Sequence, residues 1–154
     1  MKKSQKIVAT ALMVMISATV IVFAHCQIPC GIYGDSMRFA LMREHVTTIE
    51  KSMNEIVSIG KEKSPDNNQL VRWVMNKDDH ADELSEIVTY YFMAQRVKPV
   101  PEDKKAEYAK YVKQITLLHQ IMVQSMKAKQ TTDLETCRKL NTLINQFETS
   151  YNSK

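Results

Sequence analysis

Glycine and proline are scarce, 3 and 4 in 154 residues. Many-turned β architecture draws heavily on both, so their scarcity favours long helices. An excess of charge of one sign is lacking too. Of the 21 basic residues, Lys2, Lys3 and Lys6 sit in an N-terminal stretch with the features of a leader; with these set aside, 18 basic residues face 17 acidic ones, a net of about +1. No basic field is left to recruit nucleic acid. Repeats and low-complexity tracts are absent. Cysteine is limited to Cys26, Cys30 and Cys137, an odd number with two members close together. What remains, 44% hydrophobic and 25% charged residues, suits one globular domain that buries its own core without disulfide staples.

Residues 1–24 read as a leader. A basic start precedes an apolar run over residues 7–24, broken only by Thr10, Ser17 and Thr19. Val22 and Ala24 are small residues three and one positions before His25, the pattern a signal peptidase requires. A run of this length also just reaches across a bilayer, so an uncleaved anchor is the competing reading. Cleavage is the expectation. It implies an exported product, periplasmic or extracellular, a processing peptidase as partner, and contact with a membrane only through the leader.

Beyond the leader, every Gly and Pro separates stretches of helical periodicity. Pro29, Gly31 and Gly34 fall in residues 25–34, Gly60 and Pro65 bracket a polar connection, and Pro99 and Pro101 mark the next break. Asp35 or Ser36 can cap a first helix whose stripe is Phe39, Met42, Val46, Ile49, Met53 and Ile56. Asp66 or Asn67 starts a second, with Leu70, Val71, Val74, Leu84, Ile87, Val88 and Tyr91 as its buried face and a polar middle, residues 76–80. A third covers about residues 102–127 with Tyr108, Tyr111, Ile115, Leu118, Met122 and Met126. Thr132 and Glu135 make a capping box for a fourth, striped by Leu134, Cys137, Leu140, Ile144, Phe147 and Tyr151. Four amphipathic helices with short connections bury their faces only against one another, so the fold is all-α, an antiparallel four-helix bundle over residues 35–154. The methionines on these stripes read as core filler, Cys137 as a buried structural thiol, and His119 as a core or surface histidine.

Residues 25–34 carry the chemistry. Cleavage after Ala24 leaves His25-Cys26-Gln27-Ile28-Pro29-Cys30-Gly31-Ile32-Tyr33 at the new N-terminus. The free amine of His25, the Cys26 amide nitrogen and the Cys26 thiolate form consecutive chelate rings. Cys30, returned by a turn at Pro29 and Gly31, can supply a fourth ligand, and the His25 imidazole an axial one. A planar set of nitrogen and sulfur donors suits Ni(II) or Cu(II), whereas Zn(II) prefers a tetrahedron. In an oxidising compartment the same two cysteines can instead form a disulfide, and the same ligands can serve metal trafficking without turnover.

The pattern His25, Cys26, Pro29, Cys30, Gly31 and Tyr33 resembles the nickel-binding hook of the nickel superoxide dismutases. The resemblance is carried by this short N-terminal motif; over the bundle it is one of architecture. It implies a homohexamer of hooked four-helix bundles, one nickel ion per chain, and superoxide as substrate. It also implies His25, Cys26 and Cys30 as metal ligands, with His25 and Tyr33 acting in catalysis and Tyr33 restricting access to the ion. In that family a carboxylate on the first helix and an arginine on the second steady the axial imidazole. Here the carboxylate position falls on Met42, with Glu44 close by, and the arginine position on His80. His80 can replace the arginine as a hydrogen-bond partner of the His25 ring, or be a solvated histidine on a charged face.

Overall fold

The computed structural model describes residues 31–153. All their regular structure is helical: α1 (Asp35–Ile59), α2 (Asn67–Glu86) continuing into a π-helical segment (Ile87–Arg96), α3 (Lys105–Lys129) and α4 (Glu135–Asn152). Helix α1 packs on α2 and α4, and α3 packs on the same two, which closes a ring of four helices. Short connections make chain neighbours antiparallel, so this is the four-helix bundle expected from the stripes.

The α1 stripe is as expected, with Phe39, Met42, Val46, Ile49 and Met53 all shut off from solvent. At Gly60 the helix stops, and the glycine amide still donates to the Ile56 carbonyl at 3.0 Å. Asp66 caps α2 by accepting from the amides of Asn68 and Gln69 at 2.9 and 3.1 Å. Other ends differ from the sequence reading. Asp35 lies inside the first turn of α1 and makes no cap, because its carboxylate is held by other elements. The Thr132–Glu135 box does not form either. The Glu135 amide donates to Asp133 Oδ1 at 2.9 Å, and the Asp133 amide to the Thr131 hydroxyl at 3.0 Å.

Two buried faces also differ. On α3 the inward residues include Gln114, Leu117, Leu118, Ile121, Ser125 and Ala128, while Met126 is exposed. The polar members are paired: Gln114 Nε2 donates to the Ser150 carbonyl at 3.1 Å, and Ser125 Oγ to the Ile121 carbonyl at 3.0 Å. On α2, Val71 and Val74 are exposed and Lys77 is buried instead. Its ammonium donates to the carbonyls of Ala128, at 3.0 Å, and Lys129, where α3 ends with unpaired acceptors. A buried lysine that closes another helix defeats any reading based on apolar spacing.

The centre of the core is aromatic. Phe92 lies 4.9 Å, centroid to centroid, from both Phe39 and Phe147, with Tyr151 at 5.6 Å. These rings join α1, the π segment and α4. Cys137 is the buried thiol the sequence suggested: its Sγ is 3.7 Å from Met53 Sδ, and burial pushes its pKa up to about 11. His119, by contrast, is on the surface.

Residues 87–96 decide where two polar side chains point. Their wider turn is seen in the Val97 amide, which donates to the Phe92 carbonyl five residues back at 2.8 Å. Gln95 Nε2 also returns five residues, to the Tyr90 carbonyl at 2.7 Å. Residues five apart therefore fall close to one face, which an α-helix does not allow. Tyr91 and Arg96 are such a pair.

Candidate functional site

His25, Cys26, Pro29 and Cys30 lie outside the described residues; Gly31 and Tyr33 lie within them. Gly31 has φ +76, a left-handed conformation that strains any residue bearing a Cβ. The Tyr33 ring lies under the Arg96 guanidinium, 4.3 Å from carbon to centroid, and meets Tyr91 edge-on at 6.0 Å.

Arg96 is itself fixed. Its Nε donates to Asp35 Oδ1 at 2.9 Å and its Nη2 to Oδ2 at 2.6 Å, a bidentate pair. Tyr91 Oη donates to Oδ1 at 2.6 Å, and Tyr151 Oη to Oδ2 at 2.8 Å. One carboxylate in the first turn of α1 thus fastens α1, the π segment and α4, two residues after Tyr33. The N-terminal end of the α1 dipole favours a negative charge there as well. Burial works against the charged Asp35, but hydrogen bonds from Arg96, Tyr91 and Tyr151 outweigh it and lower its pKa. The same carboxylate, added to burial, pushes Tyr91 and Tyr151 up to about 12, so both stay hydrogen-bond donors.

A folded-state pKa below the ordinary carboxylate value stabilises the fold above about pH 4. That contribution is lost as pH falls through the lowered value. Asp35→Asn should therefore cost about 2–3 kcal/mol at neutral pH, the scale of a hydrogen bond to a charged group left unmade. The gap between the two proteins should shrink in acid. Urea unfolding at pH 7 and pH 3 checks both; a gap independent of pH overturns the role given to the charge.

A second polar cluster joins α1 to α2. His45 stands on the α1 stripe with only 6% of its surface exposed, while His80 and Glu83 lie one turn apart on α2. The two Nδ1 atoms are 2.8 Å apart, and Glu83 Oε2 is 3.3 Å from that of His45 and 3.1 Å from that of His80. Burial lowers the His45 pKa; His80 adds to this, and Glu83 and Glu44 oppose it. His45 is therefore kept neutral over a wider pH range than a free imidazole.

His80 is thus partly exposed and lies within hydrogen-bond distance of His45 and Glu83. Met42 is wholly inside the core and Glu44 is exposed, and the carboxylate beside His80 is Glu83. Sequence reasoning missed His45 and Glu83. One signal was legible: His45 follows Met42 by three and precedes Ile49 by four, so it shares the buried stripe. The Asp35–Arg96 pair had no such signal, because its partners are far apart in the chain and meet only through the π turn.

The family described as nickel-containing superoxide dismutase matches residues 20–154, a span that takes in both the 25–34 motif and the whole bundle. No curated protein and no solved structure matches the chain.

Proposed function

The chain belongs to the nickel-containing superoxide dismutase family, and on that premise we propose that residues 25–34 are its metal centre, with His25, Cys26 and Cys30 as ligands. Membership makes it an oxidoreductase that acts on superoxide with a nickel cofactor. The observation that supports this ligand set is the donor inventory. Of three cysteines, Cys137 is enclosed by the core and its thiol is held protonated, which leaves Cys26 and Cys30 as the available thiolates. Two thiolates with amine, amide and imidazole nitrogen are a donor set that fits nickel. When bound, nickel supplies a Ni(II)/Ni(III) couple, through which one superoxide is oxidised to O2 and a second, with two protons, is reduced to hydrogen peroxide.

The chain's own residues bind, orient and screen. His25 offers its amine once the leader is removed, and its imidazole as a further ligand. Pro29 and Gly31 turn the chain between and after the two sulfurs. Tyr33 limits access to small anions, and its ring position is supported by Arg96, itself anchored on Asp35. His80 has Nδ1 engaged by His45 and Glu83, so Nε2 is the nitrogen left to orient the His25 ring. Glu44 is a weaker candidate for the same task. Export with removal of residues 1–24 by a peptidase, and assembly as a homohexamer, belong to the same proposal. Exposed Val71, Val74 and Met75 give α2 an apolar surface suited to a subunit contact.

The test is superoxide decay followed directly, with nickel-loaded protein that begins at His25 beside the same protein retaining Ala24. Fast decay with the first and none with the second is expected, because a peptide bond at His25 removes the amine donor. Equal rates overturn the amine's role. No decay with either, despite bound nickel, overturns the enzymatic reading in favour of metal carriage.

A further inference from the structure

His45 Nδ1, His80 Nδ1 and Glu83 Oε2 converge on one point, with separations of 2.8, 3.1 and 3.3 Å. Hydrogen bonding alone leaves this triangle unsatisfied. If one ring donates its Nδ1–H, that proton can be shared between the other two atoms, but those two then face each other as acceptors; if both rings donate to Glu83, two N–H donors crowd each other with their nitrogens 2.8 Å apart. A cation removes the conflict, since all three atoms then point lone pairs at the same charge. The spacing agrees: nitrogen and oxygen ligands about 2.0–2.2 Å from an ion lie about 2.8–3.1 Å apart at octahedral angles and about 3.3–3.6 Å apart at tetrahedral ones, and the three separations span the two.

We propose that His45, His80 and Glu83 form a second metal site, distinct from the 25–34 centre, for a divalent first-row transition ion such as zinc. Two imidazole nitrogens and a carboxylate oxygen suit that class and are a poor set for calcium or magnesium, which take oxygen donors. The site is built from rigid parts. His45 is buried on α1 with its ring beside that of His80, 5.1 Å between centroids, and both α2 ligands share one face at i, i+3 spacing. Glu83 is the exposed member, with 54% of its side chain open to solvent, so an ion enters from that side and keeps a position there for water. Bound metal pins α1 to α2 and fixes the His80 ring, whose Nε2–H then points away from the ion as a donor.

The test uses the full chain with Cys26→Ser and Cys30→Ser, so that no thiolate competes and failure here leaves the dismutase reading untouched. Zinc is titrated in by calorimetry. One equivalent is expected to bind, and His45→Ala or His80→Ala, added to that protein, is expected to weaken binding at least about 100-fold, the upper range seen for merely supporting groups. Glu83→Gln, on the surface and harmless to the fold, should weaken it about 10-fold by the same scale, which keeps the test decisive if a histidine variant unfolds. His119→Ala, the control at an exposed histidine, should change nothing. No saturable zinc binding overturns the site. Binding that survives all three ligand substitutions places zinc elsewhere, at His25 for instance, and overturns it equally.

Discussion

Serine in place of Cys26 should leave a folded bundle whose superoxide decay is no faster than that of protein-free solution. The oxygen of serine is a hard, weakly acidic donor, and it restores neither the charge nor the softness of a thiolate. Cys137 cannot substitute, because it is buried beside Met53 and its thiol holds its proton up to about pH 11. Cys30→Ser should behave in the same way. Helix content should not change in either variant, since the buried core of the described residues begins at Phe39. Nickel content, circular dichroism and direct superoxide decay on the same samples make the comparison. Dismutation retained by Cys26→Ser overturns the ligand set, whereas loss of helix along with activity would make the hook a part of the fold.

Phe92→Ala should be the most damaging single change to the bundle, at about 3–5 kcal/mol. The ring is fully enclosed and meets Phe39 of α1 and Phe147 of α4 at 4.9 Å each. These neighbours are themselves large and fixed, so the space is poorly refilled and the penalty falls toward the upper end. For a domain of this size such a loss lowers the melting temperature by about 10–20 °C. Urea and thermal unfolding measure it. A cost below about 1 kcal/mol would mean that the aromatic centre repacks freely, contrary to close-packed interiors.

The fold was largely legible because its signals are local. Gly60, Asp66 and Pro99 sit where helices stop or start, and the stripes of α1 and α4 are buried almost to the residue. The failures share a cause. Val71 and Val74 carry helical spacing yet stay exposed, because spacing reports apolarity and not which face meets the bundle. Lys77 is buried because the carbonyls ending α3 need donors, a requirement set by a segment about fifty positions away in the chain. Asp35 reads as a cap when seen beside its neighbours, and is a clamp once Arg96 and Tyr151 arrive.

The proposed metal centre has a different kind of signal. Its candidate ligands lie close together in the chain, so the proposal can be read directly from residues 25–34. The supporting groups are not contiguous. His80 was singled out by position, but its partners His45 and Glu83 emerge only when α1 and α2 are laid side by side.

Helix α2 and its π extension serve two neighbours in succession: His80 faces His45 on α1, and sixteen positions later Arg96 reaches Asp35. The wide turn between them sets the phase of one against the other. If all of residues 87–96 wound as an ordinary α-helix, Tyr91 and Arg96 would no longer share a face and Arg96 would turn away from Asp35. The gene therefore carries a reading constraint that no side chain reveals. Between the two contacts a change of length should therefore cost more than most changes of amino acid, while the exposed connection over residues 61–65 should tolerate added or lost residues.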